Sequence, residues 1–166
     1  MNKSLIKAAI AGGIAMFIWM TISWTVLPWH RMTFSTFHHP EKVAEVLKEN
    51  APQGGIFHGD CLQKPCYFVA VGTEAKIDMT MPMVKSLIEK LIAAFIGAWL
   101  LFQTKGMSYR RRVGFVTILG LLAGITAIVP FWTWWSFPCG YTLVTIADIT
   151  IAWFFAGLIM AKLIKR

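Results

Sequence analysis

The chain has 166 residues, 57% of them hydrophobic and 14% charged, and carries a formal charge of +8. Soluble domains hold about 25% charged residues, so this composition excludes an ordinary soluble domain and points to an all-α polytopic membrane protein. The basic excess lies at the ends of apolar stretches, which reads as a topology signal and gives no nucleic-acid partner.

The first apolar stretch, residues 5–28, is "LIKAAIAGGIAMFIWMTISWTVLP". About 20 helical residues at 1.5 Å each cross a hydrocarbon core of roughly 30 Å, so this segment predicts a first transmembrane helix. Lys3 and Lys7 suit a signal peptide, but the apolar run is about twice as long as such a peptide needs. It also ends in "SWTVLPWH" rather than at a small-x-small site, so an uncleaved anchor is expected.

Residues 29–85 read as an extracytoplasmic elaboration of a single membrane domain spanning 1–166. Pro40, Glu41 and the stripe Val43, Val46 and Leu47 predict a short amphipathic helix. "GGIFHG" and "CYFVAVG" predict a small β-hairpin around "DCLQKP". A lone hairpin is marginal, and cysteines on an exported loop pair readily. A Cys61–Cys66 disulfide is therefore expected to clip it, worth about 2–3 kcal/mol from loop entropy. His58 and Asp60 are competent metal ligands beside those cysteines, yet their spacing fits no closed zinc pattern. No metal and no cofactor are expected. His30, beside Arg31, is placed at the membrane interface, and no histidine falls inside a predicted span, which argues against haem.

Three further spans are predicted at about 86–104, 113–131 and 141–161, giving a four-transmembrane-helix bundle. Nine basic residues flank them without acidic neighbours: Lys3, Lys7, Lys105, Arg110, Arg111, Arg112, Lys162, Lys165 and Arg166. The long connection carries six basic and six acidic residues. The positive-inside rule then puts both termini in the cytoplasm of a plasma or bacterial inner membrane, with 29–85 periplasmic or extracellular. Small residues four apart, such as Ala8–Gly12, Ala93–Gly97, Gly120–Gly124 and Ala152–Ala156, predict close helix contacts.

The layout resembles membrane thiol-oxidising enzymes of the vitamin K epoxide reductase type in outline, as a small helical domain with external cysteines. It has no CxxC pair, and its three cysteines are one fewer than a relay between two disulfides uses.

Asp148, inside the fourth span, is the most informative side chain. A carboxylate at that depth costs roughly 2.5–3.5 kcal/mol on insertion scales and normally turns inward to a partner. Lys90, with Glu89 beside it, enters the second span at similar depth, so an Asp148–Lys90 contact is expected, with Thr145, Thr21, Ser23 or Thr25 as secondary partners. The aromatic run "FWTWWSFP" at 131–138 predicts an interfacial collar, and its Trp135 borders a place for an acyl chain or quinone. No nucleophile–base–orienter set, phosphate loop or carboxylate dyad is visible, so no reaction and no catalytic residue is assigned. The sequence is read as a non-enzymatic accessory or scaffolding protein that contacts membrane lipids and another membrane protein or itself. The alternative is a lipid- or quinone-binding protein, an enzyme or transporter, with its site around Asp148 and Lys90 near the outer leaflet.

Overall fold

A computed structural model describes residues 3–59, 62, 65–72, 78–104 and 106–164. The chain forms α1 (Lys3–Thr25), a 3-10 turn (Arg31–Thr33), α2 (Pro40–Asn50), β1 (Gly55–His58), β2 (Phe68–Val71), α3 (Thr80–Gln103), α4 (Tyr109–Trp135) and α5 (Cys139–Leu163). Pro40 occupies the first turn of α2, with Glu41 at its positive end. The strands pair antiparallel in the register Ile56↔Ala70 and His58↔Phe68.

Three helices, α1, α4 and α5, are long and apolar enough to cross a membrane. That corrects the expected bundle of four spans. α3 is a long helix, but Lys85, Glu89 and Lys90 interrupt its first half. The uninterrupted apolar run from Leu91 to Phe102 is about 18 Å long, well short of a roughly 30 Å hydrocarbon core. α3 leans on α1, α1 also packs on α5, and α5 on α4, whereas α3 touches α4 only lightly.

Small residues set these contacts. A Cβ on Gly13 would lie 3.0 Å from the Leu91 backbone, and one on Gly157 would lie 3.2 Å from the Val113 carbonyl oxygen. Trp153 of α5 fills the space left by Gly97 of α3 and Gly120 of α4. Larger side chains there would hold the helices apart and forfeit dispersion contact, which is the main attraction between helices in lipid. The buried core is correspondingly alanine-rich, with Ala8, Ala94, Ala98, Ala152 and Ala156 around Met16, Leu101, Val116 and Met160.

α1 and α5 run antiparallel, Gly12 meeting Met160 while Trp19 meets Asp148, and so do α4 and α5, where Gly157 meets Val113 and Gly124 meets Ile146. One end of the array thus gathers Lys3, Lys7, Arg110, Arg111, Arg112 and Lys162, while the hairpin caps the other. Lys105, Lys165 and Arg166 lie outside the described residues.

α4 runs past the predicted boundary at 131, through Pro130, to Trp135. Ser136 ends it in the left-handed conformation (φ 58°), and the Phe137 amide donates to the Phe131 carbonyl at 3.2 Å. The collar tryptophans Trp132, Trp134 and Trp135 therefore form the last turn of a helix rather than a connection. The hairpin rests on that turn. Phe68 packs on Trp135 at 4.8 Å and on Phe131 and Phe137 at 6.1 Å, and His58 meets Trp135 at 5.5 Å.

The cross-link expected to hold the hairpin, Cys61–Cys66, falls outside the described residues because Cys61 does. Cys66 has a partner and Cys139 is free and exposed. Among the described residues it is aromatic stacking on α4 that anchors the strands.

Gly120→Ala is expected to lower stability by about 1–3 kcal/mol, because its Cβ would come within 2.5 Å of Trp153 Cγ. Gly114→Ala, with nothing within 4 Å, should leave the melting temperature unchanged or raise it. Thermal unfolding of both variants in one detergent checks the contrast.

Candidate functional site: a buried carboxylate–imidazole pair beside a cavity

α1 ends three residues before Pro28, and the chain turns back at once, with the Met32 amide donating to the Pro28 carbonyl at 3.1 Å. This turn carries His30 beneath the end of α1 and against α5. There it is 2% exposed, and Asp148, about 13 Å along α5 from its start, is 1% exposed.

Each carboxylate oxygen of Asp148 has a donor. Trp19 Nε1–H donates to Oδ1 at 2.7 Å, and His30 Nε2 lies 3.0 Å from Oδ2. Ser23 Oγ is 3.1 Å from the same His30 nitrogen and accepts from Trp29 Nε1–H at 2.9 Å. Trp24 stacks on the imidazole at 3.9 Å, and Trp29 meets it edge-on at 5.7 Å. A carboxylate can only accept, so the network assigns the proton to Nε2. His30 Nδ1, also buried, has no hydrogen-bond partner among the described residues.

The trio of serine, histidine and aspartate is not a nucleophilic triad. In that arrangement the carboxylate and the hydroxyl occupy opposite ring nitrogens, so the imidazole can draw a proton from one while held by the other. Here both sit on Nε2. Ser23 is a further acceptor for the pair, not an activated nucleophile.

A cavity of about 340 Å³ adjoins the pair, bounded by Met16, Met20 and Trp24 of α1, Lys90 of α3, Ala127 of α4 and Trp153 of α5. Its walls are apolar apart from His30, Asp148, Thr145 and the neighbours Glu89 and Lys90. Ala123 and Ala127 are exposed, and α3 touches α4 only lightly, so the cavity opens sideways between those two helices.

Asp148, Lys90 and Glu89 thus share one cavity, as their depth along the helices predicts. The expected Asp148–Lys90 contact is replaced by two separate pairs. Lys90 Nζ bonds Glu89 Oε2 at 2.8 Å, while Asp148 is held by Trp19 and His30. Of the expected secondary partners, only Ser23 joins the network. The hydroxyls of Thr21, Thr25 and Thr145 bond carbonyls of their own helices. Trp135 belongs to the hairpin dock and does not line the cavity.

His30 and Trp19 were not picked out from the sequence. The available signal was indirect: a carboxylate inside an apolar helix demands donors, and His30 follows α1 by a few residues across a proline turn. His58 Nδ1 lies 3.4 Å from the Gly59 carbonyl, and Asp60 is outside the described residues. No group of three or more histidine, cysteine, aspartate or glutamate side chains able to hold a metal occurs among the described residues.

No protein-family model, curated protein or solved structure matches this chain.

His30→Ala strips one oxygen of a buried carboxylate of its donor and should cost about 3–5 kcal/mol, against about 1–3 kcal/mol for Asp148→Asn. Combining the two should cost less than their sum. A cycle pairing Asp148→Asn with Lys90→Met should show coupling below about 0.5 kcal/mol, as expected for side chains without a shared bond. Both cycles are measured by equilibrium unfolding in detergent.

Proposed function

We propose that this protein is an integral membrane protein that binds an amphipathic ligand, a lipid or quinone, in the cavity between α1, α3, α4 and α5. The observation that carries this reading is the cavity's division of labour: alanine, methionine and tryptophan walls with two polar pairs, His30–Asp148 and Lys90–Glu89, at one place. Ligand pockets are commonly apolar clefts of about 300–1,000 Å³ with a few placed polar groups, often between helices. A sideways opening suits a ligand already dissolved in the bilayer. The basic end of the array is taken as cytoplasmic by the positive-inside rule, which puts the hairpin, α2 and the cavity's polar groups towards the opposite face.

A second reading, an accessory subunit of a membrane complex, is favoured by Glu89. This carboxylate is 66% exposed, while its neighbour Lys90 lies level with Gly13, midway along α1. An exposed carboxylate at that depth disfavours lipid as its surroundings, and a neighbouring chain along α3 would cover it.

The protein purified in mild detergent should carry a reproducible, stoichiometric amphiphile detected by intact-complex mass measurement. Ala127→Leu, which narrows the opening at an exposed position, should reduce its occupancy severalfold without lowering stability. Absence of any bound amphiphile, together with a stoichiometric protein partner, would overturn the first reading in favour of the second.

A further inference from the structure

We propose that residues 30–34 stay within the bilayer as an interfacial wedge, with Met32 and Phe34 against the acyl chains of outer-leaflet lipids and Arg31 at their phosphates; this rests on the membrane-spanning part of the reading above and not on the ligand.

His30 fixes the depth. Its Nε2 lies 3.0 Å from Asp148 Oδ2, and Asp148 is about 13 Å along α5 from Cys139. The 25 residues of α5 measure about 37 Å, against a hydrocarbon core of roughly 30 Å. Even with that whole excess projecting on the outer side, Asp148 stays about 6 Å below the boundary. The chain then climbs. The Phe34 ring meets that of Tyr141 at 5.8 Å, and Tyr141 stands about 10 Å above Asp148, where tyrosines mark a membrane interface. Residues 30–34 therefore cover the zone between the upper acyl chains and the headgroups.

The backbone of this turn suits such a place. Irregular chain is costly there unless its polar groups bond one another. The Val26 and Leu27 amides both donate to the Ile22 carbonyl, and Pro28 has no amide proton. The Met32, Thr33 and Phe34 amides donate to the carbonyls of Pro28, His30 and Arg31. The Thr33 hydroxyl adds a second bond to the His30 carbonyl, at 2.7 Å.

The side chains point to lipid as the partner. Val26, Met32 and Phe34 are 71%, 81% and 58% exposed. Acyl chains cover apolar side chains that water would solvate poorly. Arg31, among them, is exposed and makes no ion pair among the described residues. A guanidinium on a long stem reaches phosphate oxygens from just beneath the headgroups, and lipid supplies that anion where the protein does not.

The test uses the full chain in phosphatidylcholine nanodiscs, with methionine and isoleucine methyl groups labelled for magnetic resonance. Two broadening agents are compared, a lipid carrying a nitroxide on its acyl chain and a gadolinium chelate confined to water. Met32→Leu identifies the Met32 signal. Ile118, 63% exposed on α4, reports on whether the helices span. Met32 should broaden severalfold more with the nitroxide lipid than with the chelate, as should Ile118. Dipolar contact between lipid phosphorus and arginine Cζ should lose intensity in Arg31→Gln, and an unchanged signal overturns the phosphate contact.

Broadening of Met32 by the chelate alone, with Ile118 responding to the lipid, overturns the wedge and leaves the spanning helices standing. A Met32 signal untouched by either agent means that protein covers it, and also overturns the wedge. An Ile118 signal that responds to the chelate alone overturns the spanning reading itself.

Discussion

The buried carboxylate of Asp148 is the constraint around which the upper half of this molecule is arranged. An ionised group in an apolar helix is tolerable only where donors are already in place. Trp19 supplies one from the body of α1, and His30 supplies the other from beyond its end. The proline turn, the tryptophan that stacks on the imidazole and the serine at its edge all follow from bringing that second donor in. Breaking the pair from either side leaves a buried charge or a buried polar ring unmatched, which is why its parts act together.

Glycine and alanine determine the lower half. Where α1 and α4 each pack on α5, side chains are pared down to let backbones approach, and Trp153 fills the gap between Gly97 and Gly120. α3 takes part on different terms. Its second half is small and apolar and fits the array, while its first half keeps charged groups beside the cavity. Light contact between α3 and α4 accompanies the cavity beside them.

Much of this architecture was legible from residue order. The apolar runs of α1, α4 and α5, the Pro40 start of α2, the strands "GIFH" and "FVAV" and the small-residue contact faces are local patterns, and local patterns are what a sequence displays. The rank of α3 was misjudged because length and average apolarity were weighed ahead of the placement of Lys85, Glu89 and Lys90. The span predicted at 113–131 stopped four residues short of the end of α4 at Trp135, so the collar tryptophans were read as a connection. Asp148 was recognised as needing a partner, and its depth suggested Lys90, which instead pairs with Glu89 beside the same cavity. The partner itself was hidden because His30 reaches Asp148 through a tertiary fold-back, which has no periodicity to read.

That fold-back spans 118 residues of chain. During synthesis, α1 and the turn that bears His30 emerge long before α5 exists, so the imidazole waits without its carboxylate until nearly the whole polypeptide has been made. Assembly in the bilayer is accordingly bound to completion of translation. A chain that stops before α5 can still make the local contacts among Ser23, Trp24, Trp29 and His30, but Trp19 and His30 then lack the carboxylate that joins them in the finished protein.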